Sequence, residues 1–358
     1  NYDRQFRGAV PAQFALAHSL NIPAVYMLRD YGIGRLQKQL QSMGMSTLFR
    51  PADDYGLTLI LGGAEGTLWD LTGIYARLAA SARDGDLPQA PVTLLKTASA
   101  KVPALASIPS VIKQGAAWLT LQALIDVARP GYDNYWRDFS GSQTIAWKTG
   151  TSYGFRDAWA IGSNGRYTLG VWVGNADGEP ATFLSGQSSA APVLFDVFDA
   201  LPKINWFAKP QHALKTISVC DDDGYLAGGQ CTAVDTEVPR TSHFAQVTPY
   251  HRRIHLDANE QFRVHSQCEA VSNMQSKNWF VLPPAQEFYW RQHHSHYKPL
   301  PPWRRDCVAN LNQLDDDQPI ELLYPQTQSR IYIPMDLDGK RSRAVLKAVH
   351  RDSAATLY

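Results

Sequence analysis

Between Ser142 and Asn175 the chain carries three short runs rich in aromatic and β-branched residues, "SQTIAWKTG", "AWAIG" and "YTLGVWVGN", set apart by turn residues. This pattern predicts three neighbouring strands joined by short connections. The first run turns apolar at Ile145-Ala146-Trp147 until Lys148, where the stretch Lys148-Thr149-Gly150-Thr151 departs from a strand's apolar pattern. Glycine weakens a strand, so one placed inside a strand marks a point where another backbone or a ligand comes close. Gly150 therefore marks a candidate docking edge.

Helical periodicity surrounds the strands. "PAQFALAHSLN" opens with a proline near a helix entrance, and "IGRLQKQLQSMG" stops at a glycine, which predicts two or three short helices between Pro11 and Gly44. Leu68, Leu71, Tyr75, Leu78 and Ala79 fall at helical spacing, as do Trp118, Leu121, Leu124, Ile125 and Ala128. "PVLFDVFDALP", from Pro192 to Pro202, reads as an amphipathic helix closing the region. Residues 1–205 are thus expected to form one α+β domain of helices and an antiparallel sheet.

After Trp206 the apolar runs shorten to strand length, as in "LKTISV" and "RRIHLD", while Pro, His and Asp become frequent. Residues 206–318 are expected to be a loop-rich, mostly β connector. From 319 to 358, "IELLYP", "SRIYIP" and "RAVLKAVHR" read as strands of an incomplete β-sandwich, with "DLDG" as a turn.

The 34 Lys and Arg balance 33 Asp and Glu, a net charge of +1, so no basic field calls for nucleic acid or an anionic membrane. No run of 18 apolar residues is present, and Asp196, Asp199 and Pro202 interrupt the most apolar helix. Residue 1 opens in mid-domain-like sequence, and the chain reads as an excerpt of a longer protein. All four cysteines, Cys220, Cys231, Cys268 and Cys307, lie in the second half without a C-x-x-C pair, so a zinc site is not expected. Four cysteines allow three pairings. Cys220 with Cys231, flanking a turn-rich stretch, and Cys268 with Cys307 is the pairing expected in an oxidising compartment, and four buried free thiols is the alternative. "HHSHY" (His293, His294, His296) lacks carboxylates at ligand spacing and reads as a solvated loop, and "DDDG" lacks a calcium-loop frame.

"SLN" at Ser19–Asn21 and "KTGTS" at Lys148–Ser152 resemble the second and third motifs, S-x-N and K-T-G, of the penicillin-recognising serine acyltransferases. The longer contexts "ALAHSLNIPAV", "LILGGAEGTLWDLTGIYARLAA" and "KTGTSYGFRDAWAIG" are similar to the class A penicillin-binding proteins, and the tail from 319 is similar to the 1C type within that class. The resemblance implies the penicillin-binding/β-lactamase-like transpeptidase fold. It implies peptidoglycan stem peptides and β-lactams as ligands, other cell-wall synthesis proteins as partners, no cofactor, and a place on the periplasmic face of the inner membrane through an N-terminal anchor. The implied reaction is acyl transfer, which needs an activated nucleophile, an oxyanion hole and a clamp for the terminal carboxylate. Lys148 is expected at that carboxylate with Thr149 and Thr151. Gly150 is expected to admit the substrate backbone as an added strand, with the Thr151 N–H as oxyanion donor. Ser19 would pass a proton to the leaving amine, and Asn21 would hold the donor amide.

The family's first motif, S-x-x-K, precedes S-x-N. Here "SVIK" (Ser110) and "SHYK" (Ser295) follow Ser19, so neither is expected to be the nucleophile, and the chain alone is expected to be inactive. The glycosyltransferase domain of a bifunctional synthase is likewise expected upstream. A non-catalytic module that binds peptidoglycan or partner proteins is the alternative from another class. A β-lactamase or carboxypeptidase fits less well with "GGAEGTLWDLTGIYARLA".

Overall fold

The three strands form, and helices cover both faces of their sheet. A computed structural model describes residues 7–85, 111–131, 135–138, 142–308, 320–325, 330–333, 335, 341, 343 and 345–351. They fall into two units: Pro11–Thr216 with Glu237–His243, and Ile217–Thr236 with Phe244 onward and a short stretch up to Val10.

In the first unit β1 (Ala146–Thr151), β2 (Asp157–Ser163) and β3 (Thr168–Gly174) run antiparallel in the order β1-β2-β3. Lys148 lies opposite Ile161, which lies opposite Gly170, and directly opposed residues share a face. That face meets α5 (Leu68–Asp84). A Cβ at Gly170 would stand 2.0 Å from the Thr72 hydroxyl oxygen and 3.0 Å from Leu68, so only glycine admits the helix at this distance. The opposite face, with Trp147, Gly162 and Leu169 in one row, receives α7 (Ala191–Ala200). A Cβ on Gly162 would press on Ile145, Leu194 and Phe198 at 3.1–3.2 Å.

Helix ends follow local chemistry. Thr67 Oγ1 accepts from the Asp70 N–H at 3.0 Å and starts α5, and Gly85, at φ +77°, ends it. α1 (Ala12–Ala17), α2 (Asn21–Tyr31) and α3 (Ile33–Ser42) fill the segment read as two or three helices, with Gly32 turning between the last two at φ +97°. α4 (Ala52–Tyr55) is a single turn. α6 (Gln114–Ile125) packs on α5, and its Ala117, Leu121 and Leu124 join Leu78, Ala82, Trp147, Leu194 and Phe198 in the main core. Each large apolar side chain so buried contributes about 1.5–3 kcal/mol. Trp147 is fully buried, and its indole N–H donates to the Val127 carbonyl at 3.1 Å. A satisfied anchor of this kind fixes β1, and Lys148 with it, against the helices.

Further along, β4 (Leu214–Cys220) pairs with β5 (Ala233–Pro239), β6 (His251–Leu256) with β7 (Gln275–Phe280), and β8 (Ile320–Tyr324) with β9 (Lys347–His350). The connector also holds α8 (Pro284–His293), a helix its loop-rich composition did not announce. Buried Glu287 on α8 accepts from Arg351, next to β9. Residues 330–333 of "SRIYIP" join no ladder among the described residues, contrary to the strand expected there, and the "DLDG" turn and Ser110 lie outside the described residues. Cys220 is joined to Cys231 and Cys268 to Cys307, with Cα separations of 5.6 and 5.3 Å. The second unit's apolar cluster is small, centred on Ile254, Leu256, Val281 and Leu300, so the crosslinks supply order that burial does not. No described helix is long and apolar enough to cross a membrane.

Candidate active site

Ser19 and Lys148, 129 positions apart, meet in the first unit: Lys148 Nζ donates to Ser19 Oγ and, at 3.1 Å, to the Thr149 carbonyl. Ser19 stands between α1 and α2 at φ +53°, a left-handed conformation uncommon outside glycine. It is held there by its N–H to Leu16 O at 3.2 Å and by buried Leu20, whose N–H reaches Ala15 O at 2.9 Å. Asn21, the first residue of α2, is exposed two positions on.

The free edge of β1 has a readable polarity. The Ser152 N–H donates to Asp157 O at 3.0 Å, toward β2. Backbone groups alternate sides along an antiparallel strand, so the N–H groups of Thr149 and Thr151 are directed to the other edge. No strand pairs with that edge among the described residues. The Thr149 carbonyl that receives Lys148 belongs to the same edge. Gly150 has an ordinary φ, and a Cβ there would meet Trp159 at a tolerable 3.4 Å. Internal packing therefore does not demand this glycine, whereas it does demand Gly170.

Thr151 Oγ1 accepts from the Gly186 N–H at 3.0 Å, which orients the hydroxyl and leaves its own proton to donate elsewhere. Gly186 is itself wedged: a Cβ would lie 2.5 Å from Trp159 O and 2.7 Å from Gly150 O. Sequence reasoning missed this support. It also missed that Phe155 and Phe183 adopt positive φ, at +57° and +66°, with both rings exposed. The Ala181 N–H bonds the Phe155 carbonyl at 3.0 Å and ties the segment bearing Phe183 to the β1–β2 turn. Of the four non-glycine residues with positive φ in the described chain, Ser19, Phe155 and Phe183 belong to elements around β1, and strain of this kind gathers at functional sites. No sequence signal marks a phenylalanine for that conformation.

Burial pushes the Lys148 amine down from 10.5 to about 8. At neutral pH it is mostly charged, yet close enough to its midpoint to release and regain a proton. Two of its three N–H donors are engaged by Ser19 and Thr149, which leaves one for an incoming anion. Ser295 lies in the second unit after α8, and His294 stacks on Trp290 at 3.6 Å between ring centroids.

No family model matches the chain. Over 201 residues it is 37% identical to penicillin-binding protein 1C of Escherichia coli (strain K12), covering 56% of this chain and 24% of that protein. The chain is similar to the class A penicillin-binding proteins. Penicillin-binding protein 1B of Vibrio cholerae is 32% identical over 194 residues, 54% of this chain and 24% of that one. These alignments span about a quarter of the curated relatives' length. The crystal structure of penicillin-binding protein 1A from Haemophilus influenzae superposes with a TM-score of 0.53 at 18% identity, covering 69% of this chain and 42% of that one, and shows a shared fold. The relatives are penicillin-binding proteins, and the helix-flanked antiparallel sheet shares the fold of that Haemophilus influenzae protein.

Proposed function

We propose that this chain supplies one wall of a serine acyl-transfer site that crosslinks peptidoglycan stem peptides, and that β-lactams enter the same site. The observation that carries this reading is the hydrogen bond from Lys148 to Ser19 beside the edge of β1 that no strand pairs with among the described residues. The donor peptide lies along that edge as an added strand, with its terminal carboxylate at the remaining Lys148 donor and the Thr151 hydroxyl. The Thr151 N–H, directed to the edge, receives the carbonyl oxygen as it becomes an oxyanion. A serine outside residues 1–358 attacks that carbon. Its proton passes through Ser19, held by Lys148, to the nitrogen of the departing D-alanine, so the C–N bond breaks as the acyl–oxygen bond forms. The acyl group then goes to an amine of a second peptide. Asn21 orients the donor's amide.

The full protein is proposed to act on the periplasmic face of the inner membrane, alongside a glycosyltransferase domain and other cell-wall synthesis proteins. A fluorescent penicillin tests the assignment: the 358-residue chain alone should show no covalent label, and a chain extended upstream should be labelled stoichiometrically. A stoichiometric adduct on the isolated chain, mapped to Ser110 or Ser295, would overturn it. Absence of label on an extended chain that is folded would favour the non-catalytic module.

A further inference from the structure

The Cys220–Cys231 disulfide has an unusual neighbour. An imidazole nitrogen of His251 and both sulfurs lie within 4.8 Å of one another, brought together from the end of β4, the turn before β5 and the start of β6. The His251 side chain is 5% exposed, and its Nε2 is buried without a hydrogen-bond partner, 3.4 Å from Asp222 Oδ2 and 3.9 Å from Asp223 Oδ2. Asp223 is already committed, accepting from the Tyr225 N–H at 2.9 Å and from the Thr248 hydroxyl. Asp222 is partly exposed and adjustable. The imidazole plane is held by stacking on Phe280, with centroids 4.8 Å apart. A buried ring nitrogen left without a partner is costly, and an imidazole that has two sulfurs and a carboxylate around it offers the donors that borderline-soft divalent metals prefer.

We propose that reduction of the Cys220–Cys231 disulfide creates a zinc-type metal site in which Cys220, Cys231 and His251 supply two sulfurs and a nitrogen and the Asp222 carboxylate completes the set. A dithiol reductant converts the disulfide to two thiols and is itself oxidised to a disulfide. Each thiol then loses one proton as the metal binds, so two protons are released per ion. Tetrahedral zinc with bonds of 2.0–2.3 Å holds its donors roughly 3.3–3.8 Å from each other, which the opened sulfurs and the neighbouring imidazole reach by small side-chain rotations.

The second disulfide provides the contrast. His265 also lies within 4.8 Å of Cys268 and Cys307, but both its ring nitrogens are engaged, one with Cys307 O at 3.2 Å and the other with the Gln267 N–H at 3.3 Å. The nearby carboxylates of Glu269 and Asp306 are held by Arg304 at 2.6 and 2.8 Å. Of these two sites, the first is therefore the one open to a metal. Spacing rules could not find it, because its ligands share no local motif.

The test uses the whole chain, reduced with a dithiol, desalted without air and titrated with Co²⁺ as the optical stand-in for zinc. The reduced chain should bind one Co²⁺ with thiolate charge-transfer and tetrahedral d–d bands, and the oxidised chain none. His251→Ala and Asp222→Asn should each weaken binding about tenfold or more. Cys268→Ser with Cys307→Ser should leave it unchanged, and Cys220→Ser with Cys231→Ser should abolish it. If reduction unfolds the second unit, one equivalent of Co²⁺ should restore its circular dichroism. Failure of the reduced chain to bind, failure to restore the fold, or affinity indifferent to His251→Ala would overturn the proposal.

Discussion

Replacing Lys148 with methionine keeps an unbranched side chain, one atom shorter, and removes its charge. Burial holds the folded pKa near 8 against 10.5 in the unfolded chain, a drop of about 2.5 units (10.5 − 8). At about 1.4 kcal/mol per unit this is a folding penalty of roughly 3 kcal/mol, reduced by residual solvent contact to about 2 kcal/mol. Below pH 8 the lysine is protonated in both states and the whole penalty stands. Between pH 8 and 10.5 the unfolded chain binds more protons than the folded one, so stability rises with pH, and above 10.5 the penalty is gone. Other groups titrate in this range, so the informative quantity is the difference between wild type and Lys148→Met. Urea unfolding of the first unit, followed from pH 7 to 10.5, should show wild type gaining about 2 kcal/mol relative to the variant. Parallel curves would mean that the amine is not desolvated, and the argument that Lys148 is poised for proton exchange would fail.

Gly150→Ala and Gly170→Ala should separate function from packing. Gly170→Ala should destabilise by about 2 kcal/mol or more, because its Cβ would overlap the Thr72 hydroxyl, whereas Gly150→Ala should melt within a degree or two of wild type yet slow penicillin acylation of the extended protein. Thr67→Ala should lower the first unit's stability by about 1 kcal/mol through loss of the α5 cap, measurable by urea midpoint. Serine at both Cys268 and Cys307, which lie 39 positions apart, should cost the second unit up to about 4 kcal/mol, against up to about 3 kcal/mol for the 11-position loop closed by Cys220 and Cys231, read from separate thermal transitions.

The strands and helices of the first unit were legible because each buries apolar residues: Ile145, Ala146 and Trp147 form a buried strand-length run, and Leu121 and Leu124 repeat at helical spacing. The meeting of Ser19 and Lys148 was not legible from periodicity. It followed from a motif resemblance, since a pairing across 129 positions leaves no local trace. β5 and β7 were missed for a physical reason: "AVDTEVP" and "QSKNWF" are largely exposed on both faces, so their ladders form without an apolar alternation. α8 was hidden by its double proline, which reads as a loop but here starts the helix, with Pro284 at its first position. "SRIYIP" erred the other way, showing strand composition without a partner among the described residues. Phe155, Phe183 and Gly186 were beyond sequence reasoning because their conformations are imposed by neighbours.

The most direct test of the account is a crystal structure of the upstream-extended protein acylated by a β-lactam. The adduct's carbonyl oxygen should accept the Thr151 N–H at about 2.7–3.1 Å, with the lactam carboxylate on Lys148 and Thr151. An adduct whose carbonyl points away from β1, or whose carboxylate is held by residues other than these, would contradict the claim that this edge is a wall of the acyl-transfer site.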